Sequence, residues 1–346
     1  MLCTMKADSR VTKKRIAEQT GLSLSTVDRV LNNRGHVKPE TFRRVMEACR
    51  ELNYEVNRSA RLLSRKRDVN IGVVLFTYPT FFWDQVEKGV WQAYQELRDY
   101  GLCVEVVRIE NNPGEQIAKI RDLVDSGRFA GLALVASDDR FIQVIDQYVD
   151  TGFPVVTLNT DAPASKRLFY VGCNYTRAGR LAAELVCKFI GRTGQVTVIT
   201  DSWTSFQSHQ KILGFREALA EYPDVRMVGP LKFELSDPTG TIAALADDLR
   251  DLDGIYVSSA ELVRIAELKQ QVNPKAILIG HDLSPEIYTH MQTDAITAVI
   301  CQDPQAQGYL TVKKLFHRIA LDEGTDTPEY ITRLDVVVKE NARFFL

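Results

Sequence analysis

The 346-residue sequence lacks the features that direct a chain to a membrane, to secretion or to a metal. No apolar run approaches the roughly 20 residues needed to cross a bilayer. The N-terminal stretch MLCTMKADSRVTKKR has no apolar segment of signal-peptide type, and the six cysteines include no CxxC pair. We therefore expect a cytoplasmic protein with reduced thiols, without a metal site, a cofactor or a contact with membranes.

Motifs of the common enzyme classes are missing as well. The sequence contains no GxSxG, HExxH, P-loop or GxGxxG pattern. Ser208 and His209 are adjacent, but adjacency does not make a nucleophile and its base, and no third member of a triad is identifiable. Asp138 and Asp139 form an acidic pair of a kind that far more often caps a helix or lies in a solvated loop. We therefore do not expect an enzyme.

Charge is nearly balanced over the whole chain, at −2, but is unevenly distributed. Residues 1–67 hold 16 Lys and Arg against 7 Asp and Glu, a balance of +9, and the remainder has a balance of −11. A small basic head on a larger acidic body indicates a polyanionic partner, and nucleic acid is the commonest one. The alternative is a basic domain whose charge serves only solubility.

The basic head has the helical pattern of a DNA-binding unit. Apolar residues at helical spacing predict helices over residues 12–19, 24–31 and 39–52. Gly21 supplies the positive φ of a tight turn, Ser23 caps the second helix, and Pro39 opens the third, whose inner face includes Phe42 and Val45. Two helices joined by such a turn make a helix-turn-helix unit, whose second helix enters the major groove of DNA.

The head and the segment after it also carry a consistent set of motifs. These are Val11-Thr12, Ile16-Ala17, Gly21-Leu22-Ser23, Thr26-Val27, Arg29-Val30-Leu31-Asn32, His36-Val37, Leu52-Asn53-Tyr54 and Asn57-Arg58. At this spacing they resemble the DNA-binding head of the lactose/galactose-repressor family of bacterial transcription regulators. The resemblance implies a head over residues 1–56, a hinge helix and linker over 57–68, and an effector-binding and dimerisation core over 69–346.

The resemblance also implies roles for individual residues of the head. Leu24, Ser25 and Arg29 would read base edges, and Thr26, Asn32, His36 and Thr41 would mostly touch phosphate or sugar. In the hinge, Asn57 and Ala60 would contact DNA, and Leu63 would wedge into a minor-groove step; the alternative for Leu63 is a buried linker leucine. Leu24, Lys38 and Val56 depart from the family's usual aromatic, Ser/Thr and Pro residues. The operator sequence therefore cannot be taken from a relative.

The acidic body shows alternating strand and helix patterns that begin with a continuous apolar strand from Val69 to Phe76. Two series of this kind predict a doubly wound α/β core with two similar lobes. We predict lobe one over about 69–161 and 303–325, and lobe two over about 170–301 and 330–346. The patterns thus predict an α/β protein with a small all-α helix-turn-helix head and a two-lobed doubly wound core. The family resemblance implies that this core is similar to ribose-type periplasmic binding proteins.

Ligands of such sheets bind beyond the carboxyl ends of the strands, where this sequence has aromatic, amide and carboxylate side chains suited to sugar hydroxyls and ring faces. By position and by resemblance, we predict as ligand contacts Phe81, Phe82, Trp83, Asp139, Asn159, Asp161, Trp203, His209, Ser259, Asp282 and Gln302. Alternatively, Phe81 or Trp83 belongs to the core, and Asp282 caps the following helix.

These patterns together predict a ligand-responsive, sequence-specific transcription regulator. We expect a homodimeric repressor that binds a near-palindromic operator and is released by a sugar or polyol inducer. A corepressor of purine type is the alternative effector. A sugar-binding enzyme or a transport receptor is disfavoured, because the catalytic motifs and the signal segment are missing and the basic head is present.

Overall fold

A computed structural model of the chain describes residues 11–31, 37–52, 68–203, 205–322 and 327–346. The chain divides into two compact units, Met1–Arg65 and Lys66–Leu346. We refer to them as the head and the core. Within the described residues, no helix is long and apolar enough to span a membrane.

The head contains three helices, as the sequence predicts. They are α1 (Lys13–Thr20), α2 (Leu24–Leu31) and α3 (Pro39–Glu51). Gly21 ends α1 with a φ of 63°, a left-handed conformation that glycine adopts without strain. The Ser23 hydroxyl accepts a hydrogen bond from the Thr26 amide at 3.2 Å and so caps α2. This tight connection turns α2 away from α1, as a helix-turn-helix unit requires.

Six buried side chains hold the three helices together: Ile16, Val27, Val30, Val45, Ala48 and Cys49. Cross-links between helices add to this packing, since the Lys13 ammonium pairs with Asp28 at 2.5 Å and the Arg44 guanidinium donates to the Thr20 carbonyl at 2.6 Å. The prediction that Phe42 belongs to the inner face of α3 is wrong, because its side chain is 42% exposed. The smaller Ala48 completes the buried face instead.

The core contains two six-stranded sheets, whose strand orders are β11-β5-β4-β3-β1-β2 and β12-β10-β9-β8-β6-β7. All pairings are parallel except that of β12 with β10. The strands are β1 (Val69–Phe76), β2 (Leu102–Ile109), β3 (Gly131–Leu134), β4 (Val155–Leu158), β5 (Tyr170–Gly172), β6 (Gly194–Thr200), β7 (Val225–Lys232), β8 (Gly254–Val257), β9 (Ile277–His281), β10 (Ala298–Cys301), β11 (Glu329–Ile331) and β12 (Asp335–Val338).

Helices follow most of these strands, which confirms the doubly wound α/β class. They are α4 (Thr80–Leu97), α5 (Pro113–Asp125), α6 (Arg140–Asp150), α7 (Tyr175–Phe189), α8 (Phe206–Leu219), α9 (Pro238–Asp248), α10 (Leu262–Val272), α11 (Pro285–Gln292) and α12 (Pro304–Leu321). The central strands are buried along nearly their whole length, so their apolar residues pack against helices on both faces.

The predicted boundaries between the lobes need correction. Tyr170–Gly172 and the residues from 330 onward are predicted in lobe two, but β5 and β11 both belong to the first sheet. β5 pairs with β4, Thr157 opposite Tyr170, and β11 pairs with β5, Glu329 opposite Tyr170. The chain therefore passes between the sheets just after β5, just after β10 and just after β11. These three passages form the hinge of the core.

Each lobe contains a pair of helices that meet through reciprocal glycines. In the second lobe, a Cβ on Gly179 of α7 would lie 1.9 Å from the Lys211 carbonyl oxygen, and one on Gly214 of α8 would lie 2.0 Å from that of Thr176. In the first lobe, a Cβ added to Gly89 of α4 would lie 1.9 Å from a backbone oxygen of the neighbouring helix. A Cβ added to Gly308 of α12 would lie 2.0 Å from one. Only residues without a Cβ allow these backbones to approach so closely.

Candidate DNA-binding and effector sites

The candidate DNA-binding surface is the outer face of α2. Leu24 is 53% exposed, and Ser25 and Arg29 are exposed beside it, while Val27 and Val30 on the opposite face are buried. Thr26 and Thr41 are partly buried. Asn32, His36, Asn57, Ala60 and Leu63 lie outside the described residues, so their predicted contacts stay predictions. The head thus presents two polar side chains and one leucine on a helix of suitable length for the major groove.

The candidate effector site lies at the carboxyl ends of the strands in the second lobe. Asp282 follows β9 with a φ of 60°, a left-handed conformation that aspartate tolerates better than most residues. Its carboxylate is buried and accepts a hydrogen bond of 2.8 Å from the Gln302 side-chain amide, which follows β10. Two of the predicted ligand residues are therefore brought together at the hinge.

Burial controls the charge of this site. Desolvation raises the pKa of Asp282 to about 6, against the opposing effects of the Gln302 hydrogen bond and the Lys211 ammonium. Lys211 is itself buried, and its burial lowers its pKa. The Lys211 ammonium donates to the Ser258 carbonyl at 2.8 Å and lies 5.4 Å from the centre of the Tyr175 ring. The site thus contains a buried carboxylate and a buried lysine whose charges influence each other.

Gln302 connects the three passages between the lobes. Its backbone carbonyl accepts hydrogen bonds from the Gln307 amide at 2.9 Å and from the Thr332 hydroxyl at 2.9 Å. Its side-chain oxygen lies 3.5 Å from the Tyr175 hydroxyl and 3.4 Å from the Cys173 sulfur. Gln302 also bonds to Asp282, so the buried carboxylate is linked to the hinge by a side-chain hydrogen bond.

The aromatic residues after β1 differ from the prediction. They are predicted to lie beyond the carboxyl end of the strand, but α4 begins at Thr80, so all three lie in its first turns. Phe82 and Trp83 are 4% and 3% exposed and pack edge to face at 4.9 Å, which makes them core residues. Phe81 is partly buried and packs against the core cluster of the second lobe. The predicted ligand contacts of Phe82 and Trp83 are therefore incompatible with this structure.

The remaining predicted ligand residues are dispersed. Asp161 forms a buried ion pair with Arg167 and accepts from the Thr157 hydroxyl, so its carboxylate is occupied within the first lobe. The side-chain amide of Asn159 contacts Gln307 at 3.4 Å. Asp139 precedes α6 and lines a groove of about 430 Å³ along α5 and α6. His209 and Trp203 are exposed near the start of α8.

Two buried hydroxyls at strand ends lack a hydrogen-bond partner among the described residues. They belong to Thr160, which follows β4, and to Ser259, which follows β8. A buried hydroxyl without a partner is unfavourable by about 1–3 kcal/mol, so both positions suit a ligand with hydroxyl groups. Of these two residues, Ser259 is among the predicted ligand contacts. The buried Lys211 near Asp282 is not predicted, because nothing in the sequence of its helix indicates that a lysine there is buried.

A cleft of about 620 Å³ also opens beside Asp282. The residues that line it include Phe81 and Lys88 of α4 and Asp303 and Arg333 of the hinge. Its volume suits a small molecule of sugar size. No group of three or more His, Cys, Asp or Glu side chains in the described part of the chain is arranged to hold a metal ion.

Together, the helix-turn-helix head and the two-lobed core with its cleft define a DNA-binding transcription regulator with a small-molecule effector domain. Comparison with protein families agrees: residues 12–57 match the model for bacterial regulatory proteins of the lacI family, and residues 71–320 match that for a periplasmic binding protein domain. The chain belongs to the lacI family of regulators that have a periplasmic-binding-protein core.

Individual relatives and solved structures match between 61% and 80% of the chain. The ribose operon repressor of Halalkalibacterium halodurans is 25% identical over 294 residues, which cover 80% of this chain and 84% of the relative. The probable HTH-type transcriptional repressor ExuR of Bacillus subtilis is 33% identical over 218 residues, or 61% of each chain. GanP, a glucose-galactose binding protein from Geobacillus stearothermophilus, superposes with a TM-score of 0.72 at 26% identity, covering 80% of this chain and 99% of GanP.

Proposed function

We propose that the protein is a homodimeric repressor that leaves a near-palindromic operator when a sugar or polyol binds between its lobes. The observation that carries this proposal is the buried Asp282–Gln302 pair, which joins a hydroxyl-binding carboxylate to the hinge. The unpartnered hydroxyls of Thr160 and Ser259 support a ligand that donates and accepts hydrogen bonds. The names of the ribose operon repressor and of the glucose-galactose binding protein support the same ligand class.

The proposed mechanism requires the effector to prefer one arrangement of the lobes. A ligand with equal affinity for the DNA-bound and released states would change nothing, however tightly it bound. Asp282 and Gln302 provide that preference, because the latter bonds to Gln307 at the start of α12 and to Thr332 just after β11. A change in their hydrogen bonds on ligand binding therefore alters the angle between the lobes.

The proposal is tested by operator release. An operator is selected from random DNA with the purified full chain, and fluorescence anisotropy then follows its release by D-ribose, D-galactose, D-arabinose, polyols and purine bases. Release by a sugar or polyol at constant salt supports the proposal. Tighter operator binding with a purine instead would identify a corepressor, and no response to any compound would contradict the proposed effector class.

Replacing Arg29 by alanine is expected to reduce affinity for the selected operator by about 1–3 kcal/mol and to relax specificity at one base pair. The exposed position of Arg29 on α2 allows its guanidinium to reach a guanine edge. Arg50→Ala, at the exposed end of α3, removes the same charge and serves as the control. Competition binding with mutated operators measures the operator affinity of both variants. If Arg29→Ala lost the same affinity for random DNA as for the operator, base reading by Arg29 would be excluded.

A further inference from the structure

A side-chain hydrogen bond joins the two lobes away from the hinge. The Tyr78 hydroxyl, in the loop between β1 and α4, donates to a Glu261 carboxylate oxygen at 3.1 Å, just before α10. The Trp83 indole N–H donates to the Tyr78 carbonyl at 3.1 Å and thus fixes the backbone of this loop. Tyr78 is 54% exposed, which locates the bond at the rim of the region between the lobes.

Glu261 is held in place on its own lobe. Its side chain is 3% exposed, and its second carboxylate oxygen lies 3.2 Å from the Arg264 guanidinium, one turn along α10. One oxygen therefore bonds within lobe two while the other accepts the hydroxyl from lobe one. A buried carboxylate with a fixed partner presents its free oxygen in a defined direction, so the Tyr78 hydroxyl meets a preformed acceptor.

The two partners lie next to the candidate ligand contacts in sequence. Tyr78 precedes Phe81 by three residues, and Glu261 follows Ser259 by two. Phe81 belongs to lobe one and packs against the core cluster of the second lobe. The lobes are therefore in contact both at the Tyr78–Glu261 hydrogen bond and at the nearby Phe81 ring. Closing the Tyr78–Glu261 bond thus brings the Phe81 and Ser259 segments toward each other.

We propose that Tyr78 and Glu261 are positioning residues that hold the Phe81 and Ser259 segments against each other and thereby set the affinity for the effector. This inference rests on the proposed function, since it concerns how the same cleft retains a sugar. The pair needs no contact with the ligand. Its bond forms only when the lobes are close, so it favours the arrangement that encloses the ligand.

The test uses the full chain with three variants that keep the side-chain shapes: Tyr78→Phe, Glu261→Gln and the double variant. Tyr309→Phe is the matched control, because the Tyr309 hydroxyl donates to Glu96 within lobe one, between α12 and α4. Calorimetric titration measures the affinity for D-ribose, D-galactose and D-arabinose. Hydrogen–deuterium exchange of the ligand-free chains follows peptides covering residues 77–82 and 258–262.

Tyr78→Phe removes the donor of the bond and is expected to weaken sugar binding about three- to tenfold, as the loss of one hydrogen bond predicts. Glu261→Gln keeps a neutral acceptor oxygen and is expected to weaken binding less. The double variant is expected to bind about as weakly as Tyr78→Phe alone, because the change at Glu261 no longer affects this bond once the donor is gone. Exchange is expected to rise in both peptides with Tyr78→Phe and in neither with Tyr309→Phe, whereas a merely local role would affect only residues 77–82.

Unchanged affinity together with unchanged exchange at residues 258–262 would overturn the inference. If the unmodified chain binds none of the three sugars, the proposed effector class fails, and exchange alone decides the role of the pair. A rise in both peptides then supports the positioning role, and a rise confined to residues 77–82 overturns it.

Discussion

Replacing Asp282 by asparagine is expected to weaken effector binding at least about tenfold, because charge-assisted hydrogen bonds contribute about 1.5–3 kcal/mol each. Operator binding by the ligand-free chain is expected to persist, since the change lies outside the head. Asparagine has the same shape and also tolerates the left-handed conformation at φ 60°. The expected result is therefore a repressor that stays on its operator at inducer concentrations that release the unmodified chain.

The same substitution is expected to stabilise the ligand-free core at pH 7. Burial raises the pKa of Asp282 from 3.8 to about 6, so the folded core binds its proton more tightly than the unfolded chain does. The contribution of this group to stability is therefore greatest below about pH 4 and decreases as the pH rises to about 6. At about 1.4 kcal/mol per pKa unit, the ionised carboxylate costs about 3 kcal/mol, which the neutral side chain of Asp282→Asn avoids.

Two measurements check this prediction: effector titration at pH 5 and pH 7.5, and denaturant unfolding over the same range. In the unmodified chain, effector affinity is expected to fall below about pH 6 as the carboxylate is protonated. Asp294→Asn is the control, because Asp294 also has a positive φ, 57°, but its side chain is 83% exposed. Normal effector response in Asp282→Asn would remove this carboxylate from the site.

Much of the fold could be predicted because its signals are local. The apolar strand from Val69 to Phe76 and the alternation after it specify a doubly wound core, and burial of the central strands confirms this interpretation. Gly21 and Ser23 likewise specify the turn and the cap of the helix-turn-helix unit within four residues. Periodicity and capping depend on neighbours in sequence, so one chain suffices to detect them.

Other features depend on distant residues and give no local signal. β5 has only three residues, and its sheet is decided by its pairing with β4 and β11. The helices α7 and α11 and the strand β12 are not predicted from the sequence as separate elements. Lys211 lies on α8 among ordinary helix residues, and its burial follows from the close approach of α7, not from its own sequence.

Some residues of the candidate site can also be predicted from the sequence, and others cannot. Asp282 and Gln302 follow strand ends, where parallel sheets collect polar residues, and the structure brings them to 2.8 Å. Phe82 and Trp83 follow a strand end too, but the first turn of α4 directs them into the core. Position after a strand therefore identifies the region of the site, whereas the start of the next helix decides which side chains face it.

Replacing Gly179 by alanine is expected to destabilise the core by about 3 kcal/mol, at the upper end of what overpacking usually costs. The added Cβ would lie 1.9 Å from the Lys211 carbonyl oxygen, and backbone cannot move aside as the end of a side chain can. The helices α7 and α8 must then separate. Because Lys211 belongs to the displaced turn, its ammonium is also expected to leave the Ser258 carbonyl, so effector affinity falls with stability.

Denaturant unfolding of the full chain measures the effect, and Gly114→Ala provides the matched control. Gly114 lies in the first turn of α5, where a Cβ meets only the Asn112 side chain at 3.5 Å, so alanine is expected to be neutral or to stabilise the helix by up to about 1 kcal/mol. Gly214→Ala is expected to reproduce the loss from the other helix, since its Cβ would meet the Thr176 carbonyl. Stability within about 0.5 kcal/mol of the unmodified chain in both Gly179→Ala and Gly214→Ala would show that the helices separate at little cost, and that their close approach contributes little to stability.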